Sequence, residues 1–416
     1  MNLTAPSLRT AALGGVALLV ALLAGPPASA QTPPPPPFEG ELPSAGGVAL
    51  VATQTDATPE ELVTTAGNLG CDASSIWVSG GGTLTGYVAG APDFVNVGFP
   101  GNVPMGTPLL VVCGTPEPVT ANAPGLSCPV FPSNNVWNTR IDDLPVHAQS
   151  STWVATIGTS ATMHPDFGSG VWPPDSDSPI GIPYVEVDGV PGVSVSFEYD
   201  SESDPGPYAI PPSAPIEGGP SSSGDRHVLV VDRTDCKLYE LFAAYPQSDG
   251  SWTAGSGAIY DLNSNALRPS GWTSADAAGL PILAGLVRYD EVAAGEIGHA
   301  LRFTAPQTQR AFVWPARHYA SNLTGAEYPP MGARFRLRAD FDVSGYDAEV
   351  QVILRALQRY GMILADNGSP WYLSGAPDER WDNEVLRQLK DLQGSDFEAV
   401  DSSSLIASGG SGAVSR

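Results

Sequence analysis

The chain has 416 residues, with 44 acidic against 19 basic side chains and a formal net charge of −25. A chain this acidic repels phosphate backbones and anionic bilayers, so nucleic acid and acidic membrane surfaces are excluded as expected partners. Glycine (46) and proline (41) are abundant and long helical periodicities few, which favours a β-rich body with many turns.

Residues 1–30 carry Arg9 in a short polar start, an apolar run from Ala11 to Ala24, and Ala28-Ser29-Ala30 before Gln31. This is the pattern of a secretory signal peptide, and it predicts a secreted, extracellular protein. No later stretch approaches ~18 apolar residues, so no membrane span is expected. Residues 31–47, "QTPPPPPFEGELPSAGG", read as a proline-rich linker that spaces without folding. Residues 48–115 alternate short apolar runs with glycine-rich turns around one helical segment, "TPEELVTTAGNL", and predict a small β module. Its stretch "YVAGAPDFVNVGFPGNVPMGTPLLVV" resembles a small β module common in secreted bacterial proteins. The resemblance implies an accessory or wall-associated role.

A main β-rich domain is expected over residues 126–404, followed by a flexible tail, 405–416. Its first half offers "GIPYVEV", "VSVSFEY", "HVLVVD", "KLYELF" and "SWTAGSGAIYDL" as strands. In "AEVQVILRALQRYG", Val350, Ile353, Leu354, Leu357 and Tyr360 form one amphipathic helix face, ended by Gly361. "MILADNGSPWYLSG" reads as a hairpin turning at Asn367-Gly368, and "ERWDNEVLRQLKDL" as a helix burying Trp381, Val385, Leu386 and Leu389. The expected class is mainly β or α+β, with a β-sandwich or jelly-roll-like body and late helices. Four cysteines in an exported chain predict disulfides. Of the three possible pairings, the junction near Pro124–Pro132 favours Cys71–Cys113 and Cys128–Cys236, one in each domain.

Three clusters carry candidate chemistry. In "GDRHVLVVDRTDCKLYELF", His227 shares a strand face with Leu229 and Val231. A tight turn at Arg233-Thr234, or a four-residue loop in the same register, sets His227 across from Glu240, with Asp225 and Arg226 at the rim. A carboxylate partner would raise the histidine pKa. In "RYDEVAAGEIGHALRF", Asp290 can cap a one-turn helix ending at Gly295, with Glu296 in the turn, His299 opening a strand, and Arg302 on the opposite face. In "AFVWPARHYAS", Trp314, Arg317, His318 and Tyr319 suit a sugar ring or a uronate. Arg268, Trp272, Asp276, Asp366 and Asn367 fall in loops near strand ends, where binding residues collect.

The chain has no nucleophile elbow, zinc-protease helix, phosphate loop, dinucleotide fingerprint or calcium loop. The histidines are too irregular for a recognisable zinc set, so neither metal nor cofactor is expected. The stretches "CPVFPSNNVWN", "DRHVLVVD", "GWTSADAAGLPILAGLVRYDEVAAGEIGHALRF" and "YGMILADNG" resemble a group of uncharacterised secreted bacterial β-rich proteins, which implies one unit and no particular activity. From the residues themselves, the expectation is a secreted carbohydrate-active enzyme with a polysaccharide or cell-surface glycan as partner. A glycoside hydrolase comes first, because acids outnumber arginine clamps, and a polysaccharide lyase second. Asp225, His227, Glu240, Glu296 and His299 are the expected catalytic residues. Arg226, Arg302, Trp314, Arg317, His318 and Asp366 are expected to bind substrate. The competing reading is a non-catalytic surface or polysaccharide-binding protein whose histidines and acids serve only the fold.

Overall fold

The structure, a computed structural model, describes Phe38, Leu42 and residues 47–68, 73–80, 83–88, 98–113 and 122–415. The expected signal peptide lies outside these residues, as does Cys71 and with it the expected Cys71–Cys113 pairing. The chain divides into one unit ending at Pro116 and another running from Glu117 to Arg416. Strands make up 28% and helices 16%, a mainly β composition with most helices late.

In the first unit, β1 (Gly47–Ala52), α1 (Pro59–Asn68), β2 (Ala73–Gly80), β3 (Thr83–Val88) and β4 (Pro108–Cys113) form one helix and an antiparallel sheet ordered β1-β4-β2-β3. Thr58 and Glu61 start the helix with a reciprocal capping box: the Thr58 N–H donates to Glu61 Oε2 at 2.8 Å, and the Glu61 N–H to Thr58 Oγ1 at 3.3 Å. Ile76, Val78, Leu109 and Val111 pack in one core with Leu62 and Ala66 of that helix. Phe38 and Leu42, from the stretch read as a spacer, are buried in the same core.

The second unit opens with α2 (Ser150–Ile157), β5 (His164–Asp166), β6 (Tyr184–Val187) and β7 (Val195–Phe197). It continues through β8 (Val228–Asp232), β9 (Lys237–Phe242), β10 (Tyr245–Pro246), β11 (Trp252–Ala254) and β12 (Ser256–Asp261). Then come α3 (Tyr289–Ala294), β13 (Leu301–Ala305), β14 (Arg334–Leu337), α4 (Ala348–Arg359), β15 (Met362–Asn367), β16 (Tyr372–Ser374), α5 (Asn383–Leu386) and β17 (Phe397–Val400). These strands make three sheets, ordered β12-β9-β8-β6, β17-β14-β15-β13-β16-β5 and β10-β11-β7, each containing both parallel and antiparallel pairs.

The β8–β9 hairpin is apolar on both faces because it separates two cores. Leu229, Val231 and Leu238 point into the larger core; Val228, Val230, Tyr239 and Leu241 point into the smaller one. Its register differs from the expected one by two residues: Asp232 pairs with Lys237 and Leu229 with Glu240, so His227 does not face Glu240. The four-residue turn explains the shift. Asp232 Oδ1 accepts the Thr234 N–H at 2.9 Å, and Cys236 closes the turn at φ +52. A two-residue turn would instead need positive φ at Arg233, and in its type I′ form at Thr234 as well.

A second difference concerns residues 362–374, expected as a hairpin. β15 and β16 do not pair, because β13 lies between them, parallel to β15 and antiparallel to β16. The fully buried Leu301 and Phe303 of β13 place it centrally, and Phe303 stacks on Trp371 at 5.5 Å. α4 buries Val350, Ile353, Leu354 and Leu357, and Gly361 ends it at φ +66, where a Cβ would lie 2.2 Å from the Phe335 carbonyl. The final helix is only α5, capped by Asp382 and continued by a 3₁₀ turn, with Trp381, Leu386 and Leu389 buried. Residues 405–415, expected as a flexible tail, fold back: Leu405 is fully buried, and Asn135 bridges to Ala413.

Cys128 and Cys236 form a disulfide across 108 residues of sequence, tying the hairpin turn to the start of the unit. Restricting the unfolded chain over so long a loop predicts that Cys128→Ser with Cys236→Ser loses ~2–5 kcal/mol, with a fall in Tm in calorimetry. Equal melting of the variant and the native protein would contradict this.

Candidate functional site

A cleft of about 440 Å³ opens where the end of β9, the start of β12, the 273–277 loop, His318 and the end of β15 meet. Four acids line it, Glu202, Asp225, Asp276 and Asp366, and no lysine or arginine does among the described residues.

The 273–281 loop is built from its own serine. Ser274 Oγ donates to the Leu280 carbonyl at 2.6 Å and accepts the Asp276 N–H at 2.9 Å, while Ser256 Oγ donates to the Ser274 carbonyl at 2.6 Å. A β-bulge anchors the loop to the large sheet. Phe303 pairs with Leu364 and Thr304 with Asp366, leaving Ala365 as the extra residue. The Ala365 carbonyl, released from the ladder, accepts the Ala278 N–H at 2.9 Å. Asp276 and Asp366 are thus brought to one wall of the cleft.

Arg302 of β13 lies under that wall, 4% exposed. Its Nε and Nη2 donate to Asp276 Oδ2 and Oδ1 at 2.9 and 2.7 Å, and Nη1 donates to Ser374 Oγ. This bidentate geometry neutralises Asp276, whose side chain is fully buried. Asp366 has no such clamp. Burial, then the Asp276 charge, push its carboxyl up to about 7, although Arg302 and the Asn367 N–H (2.6 Å) oppose the shift.

His227 sits behind Asp225 and is almost completely buried. Its Nδ1 lies 2.6 Å from Glu217 Oε2 and its Nε2 lies 3.1 Å from the Ala275 carbonyl. Both neighbours accept, so both ring nitrogens donate and the ring is an imidazolium. Burial pushes its pKa down, but the Glu217 charge and hydrogen bond outweigh it and raise it to about 9. Burial likewise pushes Glu217 up, and His227 more than reverses that, holding it below the usual carboxylate range.

Of the expected catalytic residues, Asp225 lines the cleft and His227 backs it through Glu217 and Ala275. Glu240 does not line the cleft. It is sealed in the core, accepting the Ile282 and Leu283 N–H groups at 2.9 Å each; burial raises its pKa to about 7. Glu296 and His299 belong to another cluster. Glu296 is exposed, 3.4 Å from Arg359; His299 Nε2 lies 3.0 Å from Glu291 Oε2, and Glu291 Oε1 pairs with Arg288 at 2.7 Å. Asp290 makes no cap and pairs with Arg380. The two strand mouths therefore do not converge on one cleft.

Among the expected binding residues, His318 and Asp366 line the cleft and Arg302 supports it. Arg226 is buried, bonded to the Ala244, Pro220 and Ser222 carbonyls. Arg317 is engaged by the Arg268 and Gly409 carbonyls, and Trp314 donates to the Ser411 carbonyl. Neither lines the cleft. Sequence reasoning missed Glu217, Glu202 and Tyr199. Glu217 stands in the loop "PIEGGPSSSGD", with no periodicity to aim it.

Glu217, Asp225 and His227 offer ligand atoms within 4.8 Å of one another and could hold a cation. The 2.6 Å contact between Nδ1 and Oε2 is a hydrogen bond; metal coordination at ~2.0–2.2 Å bonds would require the two atoms to separate and the proton to leave. No helix of the described residues is long and apolar enough to cross a membrane. Comparison with protein-family models, curated proteins and solved structures finds no match for the chain.

The His227–Glu217 pair makes stability depend on pH. A histidine raised to about 9 from ~6.5 contributes fully below the unfolded value, and its contribution is lost as pH rises through about 9. The native Tm should fall across that interval. Glu217→Gln should lose roughly 3–5 kcal/mol at pH 6, by leaving a buried charge unpaired, and should show a weaker alkaline fall. Superimposable Tm–pH curves for the two proteins would contradict the pairing.

Proposed function

We propose that the unit from Glu117 to Arg416 is a secreted glycoside hydrolase acting on an extracellular polysaccharide. Asp366 is the general acid and Asp225 the base or nucleophile. The observation that carries this reading is the placement on one cleft of the exposed Asp225 and the half-buried Asp366, which burial and the neighbouring Asp276 charge push up to about 7. Glycosidic hydrolysis needs that division: one carboxyl protonates the leaving oxygen while another, ionised, assists attack at the anomeric carbon. The pair of buried His227 with half-buried Glu217 backs Asp225, and Arg302 keeps the Asp276 charge beside Asp366 balanced.

Among the described residues no arginine or lysine lines the cleft, which favours hydrolysis over elimination from a uronate, a reaction that requires neutralisation of the sugar carboxylate. Export fits the N-terminal pattern and the Cys128–Cys236 disulfide, a bond that persists in oxidising compartments.

Asp366→Asn and Asp225→Asn should each lower turnover of a responsive polysaccharide by ~10²–10⁴ while melting near the native temperature. Native activity should decline as pH rises through about 7, because the acid loses its proton. A reducing-end assay over a panel of neutral polysaccharides, with melts on the same samples, checks both. Variants that fold normally and keep native turnover would overturn the assignment.

A further inference from the structure

Beside the acidic cleft lies a second hollow of about 390 Å³, lined by Phe197, Glu198, Ala243, Tyr245, Thr253 and Gly255, among others. The two share a rim. Glu198, Ala243 and Gly255 line the second hollow, while the next or preceding residues, Tyr199, Phe242 and Ser256, line the first. Backbone hydrogen bonds knit this rim into one row: Ala243 N–H to the Asp225 carbonyl (2.8 Å), Gly255 N–H to Phe242 (2.8 Å) and Tyr199 N–H to Gly255 (2.9 Å). Gly255, between the two hollows, is buried against the Phe242 ring, which a Cβ there would meet at 2.7 Å, so the rim itself is formed by Phe242, Ala243 and Tyr199.

Three aromatic side chains are strongly exposed among the described residues of this unit: Trp172, Tyr199 and Tyr245. Two of them flank the rim, Tyr199 on the cleft side at 49% exposure and Tyr245 on the other at 45%. The guanidinium of Arg226 lies over the Tyr245 ring, 4.2 Å from its centroid, and is itself held by three carbonyls. One face of Tyr245 is thus backed by a buried cation while the ring remains half exposed. A flat ring held from behind suits stacking against the C–H face of a pyranose. Among the described residues, Glu198 is the only charged one lining this hollow, so an acidic sugar is disfavoured.

From these observations we infer that the second hollow is a distal subsite for a non-acidic glycan chain, which crosses the shared rim beside Phe242 and stacks on Tyr245 while another sugar occupies the cleft. This rests on the hydrolase reading only for what happens in the cleft; binding at Tyr245 is independent of turnover.

The test is calorimetric binding of uncharged gluco-, xylo- and manno-oligosaccharides, from disaccharide to octasaccharide, to full-length Asp225→Asn, with and without Tyr245→Ala or Tyr245→Phe. Tyr245→Ala should weaken the longer ligands about three- to tenfold and leave the shortest bound ligand unchanged. Tyr245→Phe, which keeps the ring, should bind like the parent and guards against misfolding. Equal affinity of long ligands with and without the ring, or equal losses on short and long ligands, overturns the subsite and leaves the hydrolase reading standing. A length-dependent loss without any hydrolysis by the native protein supports the subsite and removes the hydrolase reading. Failure of every oligosaccharide to bind overturns both.

Discussion

The bidentate pair between Arg302 and Asp276 joins the middle of the six-stranded sheet to the 273–281 loop, with both groups out of water. A guanidinium enclosed among apolar side chains is tolerable only with a carboxylate in fork geometry and a further acceptor, which Ser374 supplies. Removing either partner strands the other, so the loop cannot leave the sheet without exposing or orphaning a charge. The Ala365 bulge fixes the same loop through its carbonyl. The charged contact and the backbone contact, with the serine hydrogen bonds inside the loop, hold Asp276 beside Asp366.

The opposite side of the cleft is fixed by different physics. β8 and β9 are apolar on both faces because a core lies on each, and the Cys128–Cys236 bond pins their turn. At the open end, His227 stands just before β8, and Glu217 and the Ala275 carbonyl accept hydrogen bonds from its two ring nitrogens. Two rigid walls thus present Asp225 and Asp366 in very different surroundings: one exposed at the rim, the other beside a buried ion pair. Of the two, Asp366 is the one whose surroundings, burial and the Asp276 charge, hold its proton more tightly.

Much of this was legible in local sequence pattern. The span of β9 matches "KLYELF" residue for residue, and α4 follows from the spacing of Val350, Ile353, Leu354 and Leu357. The Cys128–Cys236 bond follows from placing one pair in each domain. The failures are non-local. The register of the hairpin turned on Cys236 accepting a left-handed conformation. Asn367-Gly368 looked like a hairpin turn, but the buried face of β13 competes for both strands and wins by packing. Glu217 lies in an aperiodic loop, and only the fold shows that it reaches His227. The acid–histidine resemblance between residues 225–227 and 296–299 was coincidental: Glu291, inside α3, is the true partner of His299.

The central claim is that one carboxyl of the cleft holds its proton near neutrality. Carbon-13 NMR titration of the aspartate side-chain carboxyl signals, with Asp366→Asn for assignment, tests it without substrate. The Asp366 midpoint is expected at about 7. A midpoint near the ordinary aspartate value of ~3.9 would contradict it.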